Sequence, residues 1–322
     1  MAADVAVVVI GRDEGERLVR CLEALRGFDG PVVYVDSASS DGSPARAREL
    51  GVDVVEVDAS RRLTAARGRN AGLAHLRERG VLTEFVQFVD GDCVLAPGWL
   101  EAAAAALRAD PALAAVCGRL REVDRAASLW NRLADIEWDG PVGEVRHCGG
   151  IAMYRSAPLL EVGAFDETIA AGEEPELCLR LRRLGLRLRR LPHEMAAHDI
   201  AMTRFSQWWR RTARAGRAYA AGKARHGTGP ERFCVRECRS IVFWGGVVPG
   251  LALALAWPTH GLSLLLLAGH VVLGWRVFRA ARRAGRPRGD AALWAAACVV
   301  GKPAQFLGLL GARRTGAPGA RP

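Results

Sequence analysis

The chain has 322 residues, half of them hydrophobic, and a formal net charge of +10. That length holds one large domain with an appendage, or two domains, and the apolar share supplies a sizeable core. Of the 45 basic residues only Lys223 and Lys302 are lysines, and the basic residues crowd the second half beside long apolar runs, which suits a membrane surface and argues against a nucleic-acid partner.

The eight cysteines form no Cys-x-x-Cys pair, and Cys234 and Cys238 have no His or second Cys pair nearby to complete a zinc site. They read as free thiols of a reducing compartment. Near the N-terminus Asp4 precedes a short apolar run, and Arg12-Asp13-Glu14 follow at once. This is not a signal-peptide pattern, so the N-terminal domain is expected to stay in the cytoplasm.

Val5 to Ile10 is a continuous, mostly β-branched run, as in a strand buried on both faces. Leu18, Cys21, Leu22 and Leu25 then recur at helical spacing. Further strands are predicted over 31–36 and 52–57, with a polar turn (37–43) and a short helix between them. A helix over 64–79 leads to a fourth strand, Phe85–Val89. Strands alternating with helices at this pitch predict a doubly wound, mostly parallel α/β sheet. The fourth strand runs into Asp90-Gly91-Asp92. Two carboxylates separated by a glycine, at the carboxyl end of a strand, suit a hard divalent cation such as Mg²⁺ or Mn²⁺. Taken alone, the three residues read more simply as an acidic turn.

Pro97 opens a helix to about Arg108, a strand is predicted over 113–120, and Trp130 and Trp138 mark a helix or loop over the site. His147 to Tyr154 reads as a strand whose glycines permit a close approach. Gly172-Glu173-Glu174-Pro175-Glu176 enters a helix closed by Gly185, and acids there complement the helix dipole. A strand follows over 186–191. From Arg204 to Arg239 ten basic residues stand against two acids, with Trp208 and Trp209 among them, a composition suited to lipid headgroups. Ser240 to Trp275 contains no Asp, Glu, Lys or Arg. Pro258 to Gly261 divide it into two apolar runs of 18 and 14 residues, around the lower limit for a spanning helix. Six arginines between 276 and 288 would keep both ends of that hairpin cytoplasmic. The apolar stretch 291–311 holds Lys302-Pro303 near its middle and reads as a re-entrant or third membrane segment.

In order along the chain, these motifs resemble those of family-2 glycosyltransferases with the GT-A fold. Val8 to Leu25 is similar to the family's opening strand and helix, and Val35-Asp36-Ser37-Ala38-Ser39-Ser40-Asp41-Gly42-Ser43 to its "VDSGSTDGS" turn. Ala65 to Gly72 resembles its "AxARNxG" helix, Val89-Asp90-Gly91-Asp92 its DxD motif, and Gly172 to Leu177 with Arg180-Leu181 its "EDxDLxxRL" segment. Gln207-Trp208-Trp209-Arg210 is loosely similar to the interfacial motif of membrane-bound members. The match covers about residues 5–211. Two departures stand out: Ile10-Gly11-Arg12-Asp13-Glu14 replaces the usual Pro-Thr-Tyr-Asn-Glu, and Glu173-Glu174 replaces Glu-Asp.

The resemblance implies a nucleotide-diphospho-sugar donor, a bound Mn²⁺ or Mg²⁺ and an inverting transfer. It implies that Glu14, Asp36 and Arg69 contact the nucleoside, that Asp90 contacts ribose or metal, and that Asp92 and His198 hold the metal. Glu174, or its neighbour Glu173, would be the general base. Gln207, Trp208, Trp209 and Arg210 would lie on the acceptor and membrane side. The expected organisation is a catalytic domain over 1–201, a basic interfacial region over 202–239 and a transmembrane hairpin over 240–278. A basic loop (279–290), a third segment (291–311) and a disordered tail (312–322) would follow. The implied acceptor is lipid-linked or a cell-envelope polysaccharide, reached at the cytoplasmic face of the inner membrane. The competing readings are a sugar nucleotidyltransferase, for which Gly11 to Gly15 make a poor phosphate loop, and a membrane scaffold with a degenerate domain.

Overall fold

The protein is described from a computed structural model, over residues 4–314. It divides into two units, the first comprising residues 4–124 and 138–200 and the second 125–137 and 201 onward.

In the first unit the elements follow in the order β1 (Val5–Gly11), α1 (Glu16–Glu23), β2 (Val32–Asp36), α2 (Ser43–Glu49), β3 (Asp53–Glu56), α3 (Ala65–Glu78) and β4 (Phe85–Asp90). Then come β5 (Cys93–Leu95), α4 (Trp99–Ala109), β6 (Leu113–Glu122), α5 (Leu129–Trp138, almost all in the second unit), β7 (Gly143–Glu144), β8 (Ala152–Arg155), α6 (Ser156–Glu161), α7 (Glu173–Arg183) and β9 (Arg187–His198). The sheet order is β3-β2-β1-β4-β8-β6-β9-β5, with β7 beside β9. β1 to β4 are mutually parallel where they pair, as their unbroken apolar runs predict. β8 is antiparallel to both β4 and β6, so the sheet is mixed.

Every residue of β1 from Val5 to Val9 is fully buried, so the strand is covered on both faces. The approach of α3 is close: a Cβ on Gly72 would collide with Cγ1 of Val8 and lie 3.1 Å from Cγ2 of Val35. Within β4 the polar side chain of Gln87 is buried and accepts the indole N–H of Trp99 at 2.9 Å, which ties the strand to the start of α4. The register sets up the site. β1 lies between β2 and β4, with Gly11 opposite Asp36 and Ile10 opposite Asp90. Both carboxylates therefore reach the same sheet edge.

The structure corrects several local expectations. The strand expected over 147–154 is confined to Ala152–Arg155, and His147 to Ile151 form a loop. The strand expected over 186–191 runs on to His198. β5 is three residues long and follows at once on what reads as an acidic turn, so nothing in the sequence pattern announces it. It pairs with β9 so that Cys93 faces His198.

In the second unit α5 is joined by α8 (Phe205–His226), α9 (Val235–Val242), a π-helical turn (Phe243–Val247), α10 (Val248–Ala254), a 3₁₀ segment (Leu262–Leu267), α11 (Ala268–Arg283) and α12 (Arg288–Arg314). Trp208 of α8 stacks on Trp130 of α5, with centroids 5.2 Å apart. Asp290, near the start of α12, accepts from Arg132 at 2.7 Å and also pairs with Arg125. Glycines bring α8 and α12 to backbone contact. A Cβ on Gly216 would collide with the carbonyl oxygen of Gln305, and one on Gly308 with that of Ala213.

Two helical stretches, Leu262–Arg283 and Arg288–Ala312, are long and apolar enough to cross a membrane. Lys302-Pro303 do not interrupt the last segment, since α12 runs through Pro303 to Arg314. Proline removes one intrahelical hydrogen bond, and α12 packs on α8 on either side of it, Gly301 against Thr212 and Gln305 against Gly216. The tail expected to be disordered is helical as far as Arg314 and otherwise lies outside the described residues. The surface between α10 and α11 is strongly apolar: Trp257 is 92% exposed, and Leu253, Leu265 and Val271 are exposed with it.

Candidate active site

Asp36 ends β2, and both its carboxylate oxygens are engaged locally. The phenol of Tyr34 donates to Oδ1 at 2.7 Å, and the backbone N–H of Ser39 donates to Oδ2 at 2.8 Å. The loops after β1 and β2 are braced against each other. Ser39 Oγ accepts the N–H of Asp13, Asp13 accepts the N–H of Ser40, and Asp41 accepts the N–H of Gly15. Asp41 holds an ordinary Asx turn as well, accepting from the N–H of Ser43.

Glu14 lies under the same edge. Its Cγ would be 3.0 Å from a Cβ on Gly11 and 3.2 Å from one on Gly91, so both glycines make room for it. Arg17 pairs with it at 2.8 Å. Burial, and then the nearby Asp92, push its carboxyl above the ordinary range.

Asp90 and Asp92 stand on either side of Gly91, whose N–H is held by the carbonyl of Ile10 at 2.8 Å. Asp92 Oδ2 lies 2.9 Å from Nε2 of His198. The pairing of Cys93 with His198 across β5 and β9 delivers that imidazole, and Trp138 stacks on it with centroids 4.6 Å apart. Burial would raise the carboxyl of Asp92, but the His198 contact outweighs it and holds it below the usual range. Conversely, burial would lower His198, and Asp92 and then Asp90 outweigh it and raise its basicity. The Nδ1 atom of His198 is buried without a hydrogen-bond partner among the described residues.

Arg69 is not the solvated helix charge its position in α3 suggests. It is 2% exposed and bridges two carboxylates, donating to Asp90 Oδ1 at 3.0 Å and to Glu173 Oε1 at 2.8 Å. Its guanidinium also lies over the ring of Phe165, 5.4 Å from the centroid. Gly150 sits against this bridge, where a Cβ would be 2.9 Å from the guanidinium and 3.3 Å from Asp90 Oδ2. Of the two glycines before β8, Gly150 thus does permit a close approach, to protein groups, while a Cβ on Gly149 would meet nothing within 4 Å. Asn70, whose role the motif alone does not reveal, fixes the segment carrying Phe165. Its amide donates to the Phe165 carbonyl at 2.8 Å and accepts the Phe165 N–H at 3.1 Å.

Arg69→Met is expected to leave Asp90 and Glu173 without their shared cation. Removing one partner from a buried charge cluster costs about 3–5 kcal/mol. Urea unfolding followed by far-ultraviolet circular dichroism measures the loss, and a midpoint equal to that of the wild type would show that the bridge is dispensable.

The two glutamates at the start of α7 point differently. Glu173 faces Arg69. Glu174 is 4% exposed, and its Oε1 accepts the backbone N–H of Cys148 at 2.6 Å and the thiol of Cys178 at 2.9 Å. Burial pushes its carboxyl up, against the opposing influence of His147 and of those two donors.

The remaining candidates lie in the second unit, at the start of α8. Gln207 closes a capping box, its Oε1 accepting the N–H of Arg204 at 2.8 Å. Trp208 is buried in the aromatic stack with Trp130, which is a packing position and not a headgroup-facing one. Arg210 is exposed and Trp209 half-buried.

A divalent cation suits the residues at the sheet edge. Among the described residues, a carboxylate oxygen of Asp92, the thiol of Cys93 and an imidazole nitrogen of His198 lie within 4.8 Å of one another, and the oxygen and nitrogen donors suit Mn²⁺ or Mg²⁺; Asp90 stands beside this group with Oδ1 held by Arg69.

The chain is similar to known proteins in sequence and in fold. Residues 6–156 match the model of glycosyl transferase family 2. Two curated relatives, each a "pre-mycofactocin glycosyltransferase" from a strain of Mycobacterium tuberculosis, are 30% identical to the chain over 293 residues. The aligned region takes in 87% of this chain and 58% of each relative, so the chain spans less than two thirds of their length. Among solved structures, the mannosyltransferase PcManGT from Pyrobaculum calidifontis, in complex with GDP-Man and Mn²⁺, superposes with a TM-score of 0.61 at 22% identity. That likeness covers 92% of this chain and 87% of the other, and the shared fold is GT-A.

Proposed function

Since residues 6–156 match the model of glycosyl transferase family 2, we propose that the chain is a member of that family and transfers a glycosyl group, with inversion, from a nucleotide-diphospho-sugar to an acceptor hydroxyl. One observation carries the reading: the carboxyl ends of β1, β2 and β4 bring Glu14, Asp36, Asp90 and Asp92 to one sheet edge, with His198 against Asp92.

Asp36 and Glu14 form the nucleoside side of the site. The cross-braced loops around Asp13, Ser39 and Asp41 fix that side before the donor arrives. Asp92 and His198, with Asp90 beside them, would hold Mn²⁺ or Mg²⁺. When bound, the cation acts as a Lewis acid that neutralises charge on the departing diphosphate. Arg69 is a positioning residue that keeps Asp90 and Glu173 in place.

Glu174 is the general base. Its carboxylate is oriented by the Cys148 N–H and the Cys178 thiol, and burial gives it the basicity needed to take the acceptor's proton. Glu173 is unsuited to that part because its oxygen is engaged by Arg69. The proposed acceptor is lipid-linked or a cell-envelope polysaccharide, met at the cytoplasmic face of the membrane. The exposed apolar surface around Trp257 and the two long apolar helices support contact with a membrane.

A donor panel tests the reading. Detergent-purified protein with Mn²⁺ or Mg²⁺ is offered UDP-, GDP- and dTDP-sugars. At least one donor is expected to release its nucleoside diphosphate in a metal-dependent manner. Absence of release and of binding across the whole panel would overturn the reading.

A further inference from the structure

Three thiols and a carboxylate, supplied by three parts of the fold, meet next to the sheet edge. Cys117 comes from β6 and Cys148 from the loop before β8, while Glu174 and Cys178 stand one turn apart on α7. Ligand atoms of Cys148, Glu174 and Cys178 all lie within 4.8 Å of one another. The thiol of Cys148 is also within hydrogen-bonding reach of Cys117. Buried thiols ordinarily serve as small apolar fillers. That account does not explain a carboxylate placed among them. Nor does it explain Tyr154, which is 1% exposed, interacts electrostatically with Cys178, Glu174 and Cys148, and has a hydroxyl with no hydrogen-bond partner among the described residues.

We propose that Cys148, Cys178 and Glu174, with Cys117 completing the shell, form a second cation site that takes a thiolate-preferring ion such as Zn²⁺. A tetrahedral zinc–thiolate centre has Zn–S bonds of about 2.3 Å and hence ligand–ligand edges of about 3.8 Å. Among Cys148, Glu174 and Cys178 the separations run from 2.9 Å, between Glu174 Oε1 and the Cys178 thiol, to at most 4.8 Å, so each edge needs to change by about 1 Å or less to meet that geometry. Each coordinating thiol gives its proton to solvent as its sulfur bonds the metal, so uptake releases protons and involves no change of oxidation state. The donor set differs in kind from the carboxylate and imidazole groups of Asp92 and His198, so the two sites sort cations by softness. Cys148 is only partly buried, and an ion reaches the cluster on its side.

Occupation has a consequence that rests on the proposed function. A metal-bound Glu174 cannot accept a proton, so zinc switches transfer off while the donor still binds.

The test uses the full-length protein, reduced and in detergent, with Co²⁺ as the probe. Thiolate-to-cobalt charge-transfer absorption is expected on addition of Co²⁺, to be lost on addition of Zn²⁺, and to persist in Asp92→Ala. The double variant Cys148→Ser with Cys178→Ser is expected to lose it. In the unaltered protein, Zn²⁺ is expected to abolish alkylation of Cys148 by iodoacetamide, a readout that needs no variant to fold. Absence of the charge-transfer bands, their survival in the double variant, or unchanged alkylation of Cys148 would overturn the site. Neither readout depends on glycosyl transfer. Inactivity toward every donor with the cobalt spectrum intact would sink the proposed function alone.

Discussion

Asp92→Ala is expected to reduce metal-dependent release of nucleoside diphosphate by about 100-fold or more, since disturbing even an outer partner of a metal ligand costs about 10–100-fold. Besides a 3.4 Å contact from the Cys93 thiol to Oδ1, Asp92 has two attachments, the proposed cation and the imidazole of His198 at 2.9 Å. Alanine removes both. Asp92→Asn separates them, because its amide keeps the shape and a contact to His198 but lacks the charge that balances a divalent ion. Both variants should show weakened Mn²⁺ binding by calorimetry. The fold should survive, because the β4 core from Phe85 to Val89 is untouched. Full activity in Asp92→Ala would remove Asp92 from the metal site.

Glu174→Gln is expected to lower the rate of transfer by about 10²–10⁴-fold, the usual contribution of a general base, while leaving donor affinity within a few-fold of the wild type. Glutamine retains a carbonyl oxygen for the Cys148 N–H and the Cys178 thiol, so local geometry is preserved and basicity alone is lost. Single-turnover transfer compared with equilibrium donor binding makes the distinction. Glu173→Gln should instead act through Arg69 and Asp90, lowering stability and donor affinity together. If Glu173→Gln stopped transfer and Glu174→Gln did not, the two roles would have to be exchanged.

One half of this candidate site is legible in the sequence and the other half is opaque, for a physical reason. β1 and β4 are central strands paired in parallel with each other, and burial on both faces demands unbroken apolar runs such as Val5 to Ile10. The carboxylates at the strand ends are then conspicuous, and Asp36, Asp90 and Asp92 lie where those strands deliver them. Arg69 shows the opposite case. A basic residue in an amphipathic helix looks solvated unless its partners are known, and its partners are 21 and 104 residues away. The thiol cluster is equally invisible, because Cys117, Cys148 and Cys178 share no local spacing and meet only through the packing of β6, the loop before β8 and α7. In the second unit, Gln207-Trp208 reads as a surface motif, whereas the structure uses one side chain as a cap and the other as aromatic packing. Capping and interfacial contact draw on the same residue types, and composition does not separate them.

The glycine contacts between α8 and α12 bear on how the second unit responds to its surroundings. Backbones held at Gly216 and Gly308 attract one another through dispersion and close fit, which do not require water to be expelled. Helices joined in this way keep their association when an aqueous boundary is replaced by hydrocarbon. The same pairing therefore serves a chain in water and a chain seated in a bilayer alike, and passage between those environments calls for no rearrangement of this seam.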